Sequence, residues 1–259
     1  MQDLTISLVQ SNLHWQDIGA NLAMFEEKIW ALSGKTDVIV LPEMFSTGFT
    51  MHGESLAEPM NSRSFKWMKQ MAAQTKALIL GSYIVKEGGE MFNRLIWMQP
   101  DGKYYHYDKR HLFRMAEEHK HYSAGTKPLI AEWKGWKICP LICYDLRFPV
   151  WCRNVDNAFD LQLFVANWPQ VRVSAWDALL KARAIENLSY VIGVNRVGDD
   201  GNGISYNGHS AVIDPKGNYL SGPLEKDEIQ SITLSMTELK EFREKFPTHL
   251  DADKFIIKD

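Results

Sequence analysis

Three residues able to do covalent chemistry stand at the ends of strand-like runs: Glu43 closes "VIVLPE", Lys109 closes "YYHYDK" and Cys143 closes "PLIC". A thiolate attacks a carbonyl carbon, a carboxylate can take the thiol proton and hand it to a departing amine, and an ammonium can hold the charge that develops on the carbonyl oxygen. Together they supply the parts for hydrolysis of a carbon–nitrogen bond through a thioester. Taken singly, each has an ordinary reading: Glu43 as a solvated or capping carboxylate, Lys109 as a loop lysine, and Cys143 as a packing thiol, because free cysteine behaves as a small hydrophobe. Position favours the chemical reading. Ligands of α/β proteins bind in the crevice beyond the strand ends, where residues distant in sequence converge.

The elements that must bring the three together follow from hydrophobic spacing. "LTISLVQ" alternates as a half-buried strand, and "NLAMFEEKIWALSG" has helical spacing with Gly34 as its stop. "DVIVLPE" is a buried strand, "NSRSFKWMKQMAAQTK" a helix, and "ALILGSYIV" a strand, followed by "NRLIWMQPDGKYYHYDK", two arms meeting at the Asp101-Gly102 turn. After a polar loop from about Asp108 to Lys127 come a hairpin-like pair in "LIAEWKGWKICPLICYD", an expected helix in "RFPVWCRNVDNAF" and the strand "LQLFVAN". That expected helix, starting near Leu146, would point its positive end at Cys143 and favour the thiolate. "VSAWDALLKARAIENL" is the clearest amphipathic helix, and strands in "SYVIGVNRV", "GHSAVIDPKGNYL" and "IQSITLSM" precede a last charged helix. Near-continuous apolar strands with helices between them make the fold α/β, its sheets covered by helical layers.

The whole chain narrows the partners. Its 259 residues, 45% of them hydrophobic, suit one compact domain over 1–259, and a formal charge of −3 offers no field to collect nucleic acid or anionic lipid. A small molecule is the expected partner. The start carries Asp3 where a signal peptide would need positive charge, and no apolar run approaches the roughly 20 residues of a membrane span, so a cytoplasmic location is expected. Three cysteines, an odd count, argue for reduced thiols, with Cys139 and Cys152 as packing residues. His106, His111, His119 and His121 crowd one loop with Glu117 and Glu118, but without metal-ligand spacing, and the glycines of "GDDGNGISYNG" fit no phosphate loop. No metal and no cofactor are expected.

The segments "LPEMF", "YDKRHLF" and "ICYDLRFP", in this order, resemble the three catalytic segments of the nitrilase superfamily of carbon–nitrogen hydrolases. The likeness continues through "LFVANWP", "ALLKARAIENLSYVIGVNRVG" and "GHSAVIDPKG", so it spans nearly the whole chain. It implies a four-layer α-β-β-α sandwich, association of protomers into a dimer or larger homo-oligomer, Glu43 as general base, Lys109 as the oxyanion-stabilising lysine and Cys143 as nucleophile. It also implies a second glutamate in the loop after the lysine. Alignment on the end of that loop selects Glu118, with Glu117 adjacent as the alternative, to orient Lys109 and the bound amide.

Within the superfamily, "LPEMFSTGF" and "CYDLRFP" look most like the omega-amidase branch, which implies 2-oxoglutaramate as substrate, with 2-oxosuccinamate also fitting. Such a substrate carries a carboxylate far from the scissile amide, and a fork-shaped guanidinium suits it. Arg172 is the candidate, and Arg147 a second whose alternative is a structural ion pair. Phe45, Phe49, Tyr144 and Trp168 neighbour the site in sequence and can wall it off from water, or serve as core aromatics. Other readings of the same machinery are a nitrilase, an N-carbamoyl amino acid hydrolase or another short-acid amidase. A non-catalytic binding protein or thiol redox sensor on the same fold is the alternative from a different class.

Overall fold

The first strands are buried on both faces, and successive side chains join different cores. In the computed structural model, which describes residues 2–257, the first half of the chain forms β1 (Leu4–Gln10), α1 (Ile18–Trp30), β2 (Val38–Val40), the single turn α2 (Gly53–Leu56), β3 (Glu58–Pro59), α3 (Arg63–Thr75), β4 (Leu78–Glu87), β5 (Glu90–Met98) and β6 (Tyr104–Asp108). The second half forms β7 (Ala131–Trp133), β8 (Trp136–Ile142), β9 (Leu161–Val165), α4 (Val173–Asn187), β10 (Tyr190–Val194), β11 (Val197–Asp199), β12 (Ser205–Asn207), β13 (Ser210–Ile213), β14 (Tyr219–Leu224), β15 (Glu228–Leu234) and α5 (Met236–Lys245). One sheet runs β15-β1-β2-β4-β5-β6 with β3 also on β4, a second runs β14-β13-β10-β9-β8-β7, and β11 and β12 pair separately.

Ile39, Ile79, Ile96 and Met98 pack beneath Phe25 and Ile29 of α1 and Met68 and Met71 of α3. Their chain neighbours Val38, Val40, Leu78, Leu80, Leu95 and Trp97 turn the other way and meet Ile138, Leu161 and Leu163 of the second sheet. Trp176, Leu180 and Ala184 of α4, with Met236 and Leu239 of α5, belong to the same continuous core. The order is helix, sheet, sheet, helix, the α-β-β-α sandwich expected from the sequence. Each fully buried aliphatic or aromatic side chain stabilises this stack by about 1.5–3 kcal/mol.

Parallel pairing aligns the strand ends. β1, β2 and β4 are parallel, as are β8, β9 and β10. β5 runs antiparallel to both β4 and β6, which makes β6 co-directional with β2. The residues following β2, β6, β8 and β9 therefore leave their sheets at carboxyl ends, where α/β folds place their ligands.

One expected element is absent. "RFPVWCRNVDNAF" is not a helix: a 3₁₀ turn covers Cys143–Arg147, a second covers Val155–Asn157, and the chain between is irregular. Pro149 has no N–H to donate, and the residue before a proline is pushed from helical space, as Phe148 is at φ −112°, ψ 90°. Asn154 then satisfies local backbone that a helix would have used, donating to the carbonyls of Phe159 and Asn187 and accepting from the Phe159 N–H. The segment after Cys143 therefore supplies no long helix axis, and the dipole expected to favour its thiolate is missing.

Candidate active site

Glu43, Lys109, Glu118 and Cys143 meet. Glu43 lies just beyond β2, fully buried, where Oε1 accepts from Lys109 Nζ at 2.8 Å and from Asn93 Nδ2 at 2.8 Å. Its Oε2 accepts from the Asn167 backbone N–H at 2.8 Å, and Asn167 Nδ2 donates to the Glu43 carbonyl at 2.5 Å. This couples the end of β2 to the end of β9 across the two sheets.

Lys109 follows β6. Arg94 anchors that strand through a bidentate pair to Asp108 at 2.6 and 2.9 Å, and the Lys109 N–H donates to the Asn93 carbonyl at 3.0 Å. Gly125 N–H donates to the Lys109 carbonyl, and a Cβ on Gly125 would fall 2.2 Å from the Asp108 carbonyl oxygen, so only glycine permits this approach. Lys109 Nζ also reaches both oxygens of Glu118, at 3.1 and 3.0 Å, and sits 5.1 Å from the Phe49 ring centroid. Burial alone would lower the pKa of this ammonium; the Glu118 and Glu43 carboxylates outweigh it, raise the pKa and hold the group charged.

The two adjacent glutamates differ in burial and in contact with Lys109. Glu118 is fully buried, its Oε2 accepting from the Phe113 N–H at 2.6 Å, and burial pushes its carboxyl upward against the pull of Lys109. Glu117 sits at φ 59°, exposed and paired with Lys120.

Cys143 stands where β8 turns sharply, at φ 44°, a left-handed backbone that is strained for any residue with a Cβ. Asp145 holds the turn. Its Oδ2 accepts from the Ile142 N–H at 3.1 Å and the Tyr107 hydroxyl at 2.8 Å, and its Oδ1 from the His111 N–H at 3.0 Å. His111 Nδ1 lies 2.8 Å from the same Oδ1, its ring stacked on Phe148 at 3.7 Å. From α4, Arg183 Nη2 donates to the Leu146 carbonyl at 2.6 Å. Burial first and then the Glu43 carboxylate push the Cys143 thiol well above its ordinary range, with Lys109 opposing. The resting group is therefore a thiol, and an attack on carbonyl carbon needs a base to take its proton.

A cavity of about 250 Å³ opens on this cluster. Of the residues named from the sequence as neighbours of the site, Phe49, Tyr144, Trp168, Arg147 and Arg172 line it and Phe45 does not. The chain turns at Met44, φ 42°, and carries the Phe45 ring into the layer between sheet and helices, where it packs edge-on to Phe25 and Tyr83 and against Trp67. Arg147 lies over the Trp168 ring at 4.9 Å and Arg172 over Phe113 at 5.3 Å. Among the described residues neither guanidinium has a carboxylate at ion-pair distance, so the structural ion pair considered for Arg147 is not formed. The lining also includes Trp15, His52, Asp200, Asn202, Ile204 and Tyr206, none of them singled out from the sequence. Asn93, Asp145 and Asn167 were missed too; Asp145 alone carried a signal, as an acidic residue two positions from the cysteine. Cys139 and Cys152 are packing thiols in the central core.

Comparison with known proteins gives the family. The family model described as carbon-nitrogen hydrolase matches residues 5–244. The chain is 50% identical to omega-amidase YafV of Escherichia coli K12 over 98% of its own length and 99% of the relative's. It is 33% identical to 2-oxoglutaramate amidase of Bacillus subtilis 168, over 96% of this chain and 98% of that one. The crystal structure of XC1258 from Xanthomonas campestris, a CN-hydrolase superfamily protein with an arsenic adduct in the active site, superposes with a TM-score of 0.98 at 46% identity, covering all of both chains. A buried carboxylate–ammonium–thiol cluster on a four-layer sandwich, matched over nearly its full length, leads to one conclusion: this chain belongs to the carbon-nitrogen hydrolase family.

Proposed function

We propose that the chain, acting as one carbon–nitrogen hydrolase unit over residues 1–259, is an omega-amidase that hydrolyses the terminal amide of 2-oxoglutaramate, and of 2-oxosuccinamate, to the 2-oxo diacid and ammonia. The observation that carries the reading is Lys109 held between two buried carboxylates, with Lys109, Glu43 and Cys143 lining one cavity. The full-length likeness to an omega-amidase and a 2-oxoglutaramate amidase supplies the substrate.

In this scheme Cys143 Sγ forms a bond to the amide carbon while its proton passes to Glu43, which is within reach because Asn93, Lys109 and Asn167 fix its carboxylate. The oxygen takes the electron pair of the carbonyl π bond. An ammonium has three donors, and single contact with Glu43 plus forked contact with Glu118 leaves one for that oxygen, assisted by the backbone N–H that follows Cys143. Collapse breaks the carbon–nitrogen bond as Glu43 returns the proton to the leaving nitrogen, releasing ammonia and a thioester. Water, deprotonated by Glu43, then attacks the thioester; the acid leaves and Sγ regains its proton. Glu118 holds Lys109 in place. Arg172 and Arg147, lacking carboxylate partners, receive the distal carboxylate, while Phe49, Tyr144 and Trp168 exclude water.

Family resemblance further supports a dimer or larger homo-oligomer and a cytoplasmic site of action. No helix among the described residues is long and apolar enough to cross a membrane. Ammonia release from a panel of amides, nitriles and N-carbamoyl acids tests the assignment: 2-oxoglutaramate ranks first if it holds, and a place among the poorest substrates refutes it.

A further inference from the structure

Asn93, on β5, touches every charged member of the cluster, yet it takes part in no bond-making or proton-transfer step of the reaction. Its carbonyl accepts from the Lys109 N–H at 3.0 Å, and its Nδ2 donates to Glu43 Oε1 at 2.8 Å and reaches Glu118 Oε1 at 3.4 Å. The side chain is fully buried and its Oδ1 has no partner among the described residues. The amide orientation is forced, because a flipped group would aim an oxygen at two carboxylates. An acceptor left unpaired is the cost of keeping the NH₂ where it is.

Two buried carboxylates around one ammonium repel each other, and like charges this close drive one of them to take up a proton. A neutral NH₂ between them donates to the charged forms without adding a charge of its own. It also relieves Lys109: each carboxylate bond that Asn93 supplies is one the ammonium need not make, leaving its remaining donor for the substrate oxygen. The other neutral donors serve one carboxylate each, the Asn167 N–H on Glu43 Oε2 at 2.8 Å and the Phe113 N–H on Glu118 Oε2 at 2.6 Å, whereas the Asn93 NH₂ reaches both. The nearby phenols are committed elsewhere, Tyr122 donating to the Thr50 carbonyl and Tyr206 to Asp200 Oδ2.

We propose that Asn93 is a positioning residue that keeps Glu43 and Glu118 deprotonated side by side and leaves Lys109 one donor for the reaction. The proposal rests on the reading of Glu43 as base. It deepens that reading by naming what sets the acid limit of activity, a property of the coupled pair rather than of either carboxylate.

The test is the pH dependence of kcat/KM for Asn93→Ala and Asn93→Ser with 2-oxoglutaramate. The two variants remove similar bulk, but serine keeps one hydroxyl donor. The acid limb is expected to move to higher pH by about one to two units in the alanine variant, matching the loss of one charge-assisted bond, and by less in the serine variant. An acid limb unmoved in both, with the rate lowered by the same factor at every pH, overturns the proposal, because lost packing does not titrate. Should neither variant fold, difference infrared spectra of the intact protein against Glu118→Gln at neutral pH decide: loss of an ionised carboxylate band supports it, and loss of a protonated carboxyl band overturns it. Glu43→Gln in the same assay keeps the two readings apart. Activity surviving there removes Glu43 as base, whatever the Asn93 variants do.

Discussion

Replacing Asp145 by asparagine tests how the nucleophile is held. The carboxylate is fully buried and accepts from Ile142 N–H, Tyr107 hydroxyl and His111 N–H, with His111 Nδ1 beside it. Asparagine turns one oxygen into an NH₂, which must then face either the Ile142 and Tyr107 donors or those of His111. The Tyr107 hydroxyl already accepts from Trp151 Nε1 and the Arg110 N–H, but His111 Nδ1 can accept from the NH₂ in its other tautomer, so the smaller loss is one orphaned backbone N–H, that of His111, together with the charge assistance of the remaining bonds. Bonds to a charged group contribute about 1.5–3 kcal/mol each and an orphaned buried donor costs about 1–3 kcal/mol, so a loss of about 3–5 kcal/mol is expected. That is a large share of the roughly 5–15 kcal/mol that holds a domain folded. Urea unfolding followed by tryptophan fluorescence reads it, since Trp151 donates to the Tyr107 hydroxyl at 3.0 Å and reports on this network. The strained turn at Cys143 should relax as well, lowering kcat more than it changes KM. A stability loss under about 1 kcal/mol with kcat unchanged would refute the reasoning.

Lys109→Ala should lower kcat by about 10²–10³, the usual loss for one oxyanion donor, and also destabilise the fold by about 3–5 kcal/mol, because two buried carboxylates lose their counterion; steady-state kinetics and thermal melts read both. Glu118→Gln should cut kcat by at least about tenfold by weakening its hold on Lys109, whereas Glu117→Gln should leave activity and melting temperature alone, as its partner Lys120 is exposed and surface pairs contribute about 0–1 kcal/mol. Stability should also decline at alkaline pH. Burial raises the thiols of Cys143, Cys152 and Cys139, the last to about 12, so the fold binds more protons than the unfolded chain above the ordinary thiol pKa of about 8.5. The contribution is complete below about pH 8.5 and is lost as pH climbs through the folded values, and a urea midpoint flat to pH 11 would contradict it.

Much of this site is legible in the sequence alone, and the reason is physical. Glu43, Lys109 and Cys143 are reactive types at abrupt ends of apolar strands, and parallel pairing brings such ends together whatever their separation in sequence. Asn93 and Asn167 left no trace because amides occur everywhere, and what distinguishes these two is three-dimensional: each bonds to Glu43 from a different element. The expected helix after Cys143 failed for a local reason. The spacing of Phe148, Trp151 and Cys152 imitates a helical face, but Phe148 stacks on His111, and Asp156 and Asn157 both adopt φ 52°. Phe45 failed through the turn at Met44, which no periodicity reveals. The α/β class follows from near-continuous apolar strands with helices between them, whereas the four layers came from the family resemblance, since periodicity does not distinguish one sheet from two.

The central claim is that Cys143 forms a thioester with the substrate acyl group, and one measurement meets it most directly. Rapid acid quench during turnover of 2-oxoglutaramate, followed by peptide mass spectrometry, should find the mass of the substrate less ammonia on the peptide containing Cys143, and no adduct in a folded, inactive Cys143→Ala variant. Turnover with no adduct on that peptide, or ammonia released by Cys143→Ala at an undiminished rate, would contradict it.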